Sequence, residues 1–89
     1  MKDLVTSTQF KKDAKLAKKR GKDLKKLQKI IDLLLEDKDL PARCRPHKLS
    51  GNYDDLWECH IEPDWLLVYD ILDDEIHLFR CGTHADLFD

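Results

Sequence analysis

At 89 residues the chain has room for one domain with a modest core, and residues 1–89 are read as a single domain. The formal charge of −2 conceals a division, since residues 1–48 carry +8 and residues 49–89 carry −10. No run approaches the roughly 20 apolar residues of a bilayer span, and the first ten residues lack the apolar region of a secretory signal, so no membrane partner is expected and the cytoplasm is the expected location. Three cysteines, an odd number without such a signal, point to reduced thiols and not to a disulfide framework.

Residues 2–6 read as a short first strand. Ser7 or Thr8 can cap the helix that follows, because a hydroxyl accepts from an unpaired N–H of the first turn. Phe10, Ala14 and Ala17 share one face of that helix, which runs to about Arg20. Lys11, Lys15, Lys18 and Lys22 follow the same spacing on another face. Gly21 ends the helix, since it tolerates positive φ. A second helix spans about Asp23 to Glu36, with Leu24, Leu27, Ile30, Ile31 and Leu34 as its apolar stripe and Lys22, Lys25, Lys26 and Lys29 on its outer side. The two form a helical hairpin. Pro41 and Pro46 mark an irregular segment that contains His47.

Three strands follow. Over 56–61, Trp57, Cys59 and Ile61 alternate with Leu56, Glu58 and His60. Residues 65–72 are almost continuously apolar, as a central strand would be, and 75–81 alternate again. Turns are expected at Glu62-Pro63-Asp64-Trp65 and Leu72-Asp73-Asp74-Glu75. The order β-α-α-β-β-β implies an α+β domain, a mainly antiparallel sheet covered by the hairpin.

All four histidines lie in the second half. His60 ends one strand and Asp64 stands just past the turn, so an antiparallel hairpin brings them close; His84 follows the last strand, and His47 sits in the loop that enters the three later strands. Such a cluster suits RNA cleavage without a cofactor. The ribose 2′-OH must lose a proton, the departing 5′ oxygen must gain one, and imidazoles exchange protons near neutral pH. Asp64 can orient a histidine, keep it protonated or act as base. Arg80 offers a cation for the phosphorane, and Phe88 a ring to stack on a base. His77, alternating with Ile76 and Leu78, is read as structural.

These residues fall in segments that resemble the YafQ-like toxins of the RelE superfamily. His60-Ile61-Glu62-Pro63-Asp64-Trp65, with the apolar strand after it, is similar to the family's H-x-x-P-D-W core. Residues Arg80 to Phe88 resemble its R-x-G-[ST]-H-x-x-L-F ending, and His47-Lys48-Leu49-Ser50-Gly51 its H-x-L-x-G segment. The resemblance implies a RelE-like fold and the toxin of a type II toxin–antitoxin pair, which cuts mRNA in the ribosomal A site without a metal. It implies three partners: a cognate antitoxin, the ribosome with its mRNA, and operator DNA reached only through the antitoxin complex. Carried over by position, His47, His60, Asp64 and His84 are the catalytic residues. Arg80 and Phe88 bind substrate, and Glu58 supports. In this setting the surface formed by Lys11, Lys15, Lys18, Lys22, Lys25 and Lys29 is expected to face ribosomal RNA.

Two other readings are weighed beside this one. Cys44-x-x-His47 and Cys81-x-x-His84 could supply four zinc ligands. A catalytically weak chain could serve only to bind its antitoxin.

Overall fold

The computed structural model describes residues 1–49 and 55–88. Ser50 and Gly51 of the H-x-L-x-G segment lie outside them. The elements are β1 (Asp3–Thr6), α1 (Thr8–Lys19), α2 (Leu24–Leu35), a 3₁₀ turn (Ala42–Cys44), β2 (His47–Lys48), β3 (Trp57–Glu62), β4 (Trp65–Ile71), β5 (Glu75–Gly82) and α3 (His84–Phe88). The expected order holds, with a two-residue strand at His47 and a C-terminal helix added.

Ser7 is the cap of α1. Its Oγ accepts from the Phe10 N–H at 2.9 Å and donates to the Phe79 carbonyl at 2.8 Å, which fastens the helix start to β5. At the other end Gly21 adopts φ +83°, so the Lys22 N–H reaches the Ala17 carbonyl and the Gly21 N–H that of Lys18. These are the two hydrogen bonds of a Schellman ending, which turns the chain into α2. Asp23 caps α2 by accepting from the Lys25 N–H at 3.0 Å. Of the predicted stripe, Leu27, Ile30, Ile31 and Leu34 are buried, while Leu24 is half-buried at its margin.

The five strands lie in the order β1-β5-β4-β3-β2. Antiparallel pairing holds throughout except at β1, which runs parallel to β5 with Leu4 opposite Ile76. One face packs on the hairpin: Cys59, Ile61, Trp65, Leu67, Tyr69, Ile76, Leu78 and Cys81 join Phe10, Ala17 and the α2 stripe in one core. The opposite face carries a smaller cluster of Leu66, Val68 and Leu87, with Leu49, Leu56 and Phe79 against it. β4 is thus buried on both sides, which accounts for its unbroken apolar run.

The alternation expected along β5 breaks. Val68 pairs with Arg80 but Tyr69 with Leu78, so Phe79 is the extra residue of a bulge. A bulge shifts the pleat by one residue. Ile76, Leu78 and then Cys81 therefore face the hairpin, while Phe79 joins the opposite cluster. A second irregularity lies between His60 and Glu62, just before the turn that carries Asp64.

Candidate active site

Asp64 stands in the tight turn between β3 and β4. One carboxylate oxygen, Oδ1, accepts twice from His84, from its backbone N–H at 2.9 Å and from its ring Nδ1 at 2.6 Å. These two bonds, the backbone one first, hold the Asp64 carboxyl below the usual carboxylate range. The ring nitrogen must carry a hydrogen to donate, so the same contact fixes the tautomer and leaves Nε2 for chemistry.

His60 repeats the arrangement with a neutral acceptor. Its Nδ1 lies 3.2 Å from the Pro63 carbonyl, which can only accept. The His60 and His84 rings are 5.9 Å apart between centroids and tilted by 51°. Both present Nε2 unengaged by any described residue.

His47 is held on the neighbouring strand. The Arg45 carbonyl accepts from its Nδ1 at 2.8 Å, and its Nε2 lies 3.3 Å from Glu58 Oε1. Arg45 reaches that position with φ 47° and ψ 55°, a left-handed conformation that a Cβ disfavours. Glu58 is 5% exposed, and its Oε2 has no hydrogen-bond partner among the described residues. A buried carboxylate oxygen left unsatisfied is uncommon. Glu58 lines a cleft of about 550 Å³ together with Arg45, Pro46, His47, His60 and His84. Among the candidate residues, His47, Glu58, His60, Asp64 and His84 are brought together here.

Arg80 is placed differently. Its Nε and Nη2 donate to Asp13 of α1 at 2.7 and 3.2 Å, where β5 runs beyond its pairing with β1. Asp13 also accepts from the Cys81 N–H at 3.2 Å. The guanidinium thus braces α1 against β5. Phe88, the last residue of α3, is exposed. His77 sits beside Glu75 and Phe79, away from the cluster.

The lysines divide. Lys11, Lys15, Lys18, Lys25 and Lys29 are exposed on the two helices. Lys22 is drawn toward the site, where it and Lys26 pair with the two oxygens of Glu62 at 3.3 and 2.9 Å, and Lys22 lies over the Trp65 ring. The lysines hold the Glu62 carboxyl below its ordinary range.

The four zinc ligands are not assembled. Cys44 and Cys81 are buried in the core on the hairpin side, whereas His47 and His84 line the open cleft. Among the described residues no three His, Cys, Asp or Glu side chains are grouped to hold a metal. Burial pushes the Cys81 thiol up to about 12, far from the thiolate a metal needs.

One part of the site escaped the reading of the sequence: the device that presents His84. Thr83 Oγ1 accepts from the Asp86 N–H at 3.1 Å, and Asp86 Oδ2 accepts from the Thr83 N–H at 3.0 Å. This is a reciprocal capping box around the first turn of α3, and Thr83-x-x-Asp86 is its sequence signature. Arg20, the residue that caps the C-terminus of α1, donates to the same carboxylate at 2.6 Å. Arg20 and then the Thr83 N–H lower the Asp86 carboxyl to about 2.

A model of the type II toxin–antitoxin toxin YafQ matches residues 2–89. The chain belongs to the YafQ toxin family. It is 42% identical over 87 residues to the mRNA interferase toxin YafQ of Escherichia coli K12, covering 97% of this chain and 95% of that relative. Its fold matches the YafQ toxin in the E. coli DinJ–YafQ toxin–antitoxin complex with a TM-score of 0.91 and 42% identity, over 99% of this chain and 98% of the other. A metal-bound toxin from Helicobacter pylori superposes with a TM-score of 0.92 at 40% identity, over 99% and 100% of the two chains. The α+β architecture of the YafQ fold is therefore shared across the full length.

Proposed function

We propose that this chain is an endoribonuclease that cuts mRNA in the ribosomal A site by metal-independent general acid–base chemistry. The observation that carries the reading is the pair His60 and His84, each fastened through Nδ1 and each offering Nε2 to one cleft. One imidazole takes the proton of a ribose 2′-OH. That oxygen attacks the adjacent phosphorus and the bond to the 5′ oxygen breaks, leaving a 2′,3′-cyclic phosphate. The other imidazole delivers a proton to the departing 5′ oxygen. Asp64 stabilises the imidazolium that His84 becomes on accepting a proton, which suits His84 to the first transfer. His47, beside buried Glu58, stands at the wall where the phosphorane charge develops. Phe88 is the ring available to a splayed base. Arg80 acts in this reading through its brace on β5.

The exposed lysines of α1 and α2 supply sequence-independent, salt-sensitive affinity for ribosomal RNA. A cognate antitoxin neutralises the toxin, as the DinJ complex of the E. coli relative supports, and operator DNA is reached only through that complex. The metal in the H. pylori toxin gives the metal-independent step a direct rival. Primer extension on mRNA incubated with ribosomes tests the whole reading. In magnesium buffer that keeps ribosomes intact, wild-type protein is expected to cut with and without a chelator selective for zinc and copper, and His84→Ala is expected not to cut. Cleavage that needs added metal, or survives in folded His84→Ala, refutes the mechanism; cleavage without ribosomes refutes the placement in the A site.

A further inference from the structure

We propose that a second cleft, next to the histidines, is a phosphate-binding site for the RNA strand, holding the backbone phosphate adjacent to the scissile one. The inference rests on the proposed endoribonuclease reading and deepens it. The cleft, of about 620 Å³, lies between α2, the 3₁₀ turn and the turn that carries Asp64, and its cations are Lys22, Lys26, Arg43 and Arg45. His60 and Arg45 line both this cleft and the histidine cleft, so the two adjoin at these side chains. A strand with its reacting phosphate between His60 and His84 continues past His60 onto these cations.

The charges are arranged for an anion. Glu62 is the carboxylate that faces the lysines, and one carboxylate divided between two ammonium groups leaves an excess of positive charge. Asp64, the other acid in the lining, is engaged with His84. The guanidiniums of Arg43 and Arg45 form no hydrogen bond or ion pair with any described residue. Guanidinium forks on a groove that already leads to a cleavage site match the oxygens of a phosphodiester. Glu62 then serves as a placeholder, holding the two lysines in the cleft until a phosphate displaces it.

The test uses a fluorescent RNA oligonucleotide made uncleavable by a single 2′-deoxy nucleotide, titrated with the intact protein at several salt concentrations. Arg43→Ala/Arg45→Ala is expected to bind about tenfold more weakly at low salt. The slope of log K against log[salt] is expected to shrink by about 0.7, the value for one lost single-strand phosphate contact. A neutral methylphosphonate is placed on either side of the deoxy position. On one side it is expected to weaken wild type, and not to weaken the arginine variant further. Glu62→Gln is expected to bind several-fold tighter, whereas a purely structural pair would yield lower stability and no gain in affinity.

An unchanged slope in the arginine variant, or indifference to both methylphosphonates, overturns the proposal. So does a variant that keeps oligonucleotide binding and loses ribosome binding, which assigns the cleft to ribosomal RNA. Absence of any salt-dependent binding by wild type overturns it as well. The cleavage reading is judged separately: His84→Ala is expected to bind the oligonucleotide like wild type, and its failure to cut leaves that reading standing whatever the arginines do.

Discussion

Replacing Asp13 with alanine tests the brace between α1 and β5. Asp13 is 8% exposed and accepts from Gln9, Arg80 twice and the Cys81 N–H. The substitution removes all four bonds, strips two from a guanidinium whose side chain is 26% exposed, and deprives a buried strand N–H of its acceptor. Breaking a buried charge pair from one side costs about 3–5 kcal/mol. Partial exposure of Arg80 lets water recover some of that, which places the expected loss at about 3 kcal/mol. For a domain of this size, about 4–8 °C per kcal/mol gives a fall in Tm of roughly 12–24 °C. Urea titration followed by circular dichroism, beside thermal melts, measures it. Asp13→Asn is expected to fall between, since its oxygen can serve Cys81 while its NH₂ abuts the guanidinium. A double-mutant cycle with Arg80→Met isolates the pair. A loss below about 0.5 kcal/mol in Asp13→Ala, or no coupling to Arg80, refutes the brace.

Three further outcomes are expected. Cleavage measured by primer extension falls by about 10²–10⁴-fold in His84→Ala, the range for removing a general acid or base; Asp64→Asn also loses activity while remaining folded, and full activity in either variant counts against the site. The Asp86 carboxyl is depressed to about 2 by Arg20 and the Thr83 N–H. Its stabilising effect is complete above the ordinary aspartate range near pH 4 and is lost as pH falls toward 2, so acid titration of Asp86→Asn should show a shallower loss over that window than wild type. A Cβ at Gly82 would lie 2.9 Å from Asp86 Cβ. Gly82→Ala is therefore expected to displace α3, costing about 1–3 kcal/mol of stability and, through the misplaced His84, proportionately more activity; wild-type cleavage in that variant would show that α3 tolerates the shift.

The parts of the fold visible in the sequence are those with a repeating signal. The α2 stripe, the Gly21 stop and the continuous apolar run of β4 each bear on the hairpin or the central sheet, and the structure follows them. Elements too short for a period were missed: β2 has two residues and α3 has five. The bulge at Phe79 depends on the register of β4 against β5, which no local pattern announces. The site divides in the same way. His60 and Asp64 are joined by a tight turn, so their proximity follows from the chain itself. Arg80 with Asp13, and Arg20 with Asp86, are pairs made across the tertiary fold. Arg80 therefore reads in the sequence as a cation for the phosphorane and Arg20 only as the end of a helix, because no local pattern names their partners.

The parallel pairing of β1 with β5 has a consequence for the order in which the site is braced. Asp3 meets Glu75 across about 70 residues of sequence. Closing so long a loop carries a large entropic cost and comes late relative to local structure. The α1–α2 hairpin and the β3–β4 hairpin can form before it, and the turn between those strands already positions Asp64. Asp13 and Arg20, however, ride on α1 and grip β5 and α3. Until the N-terminal segment docks, neither grip exists, and α3 presents His84 to Asp64 without the Arg20 contact. A chain that has lost its outer strand can thus keep an ordered β3–β5 sheet while the helix that carries His84 lacks its outer brace.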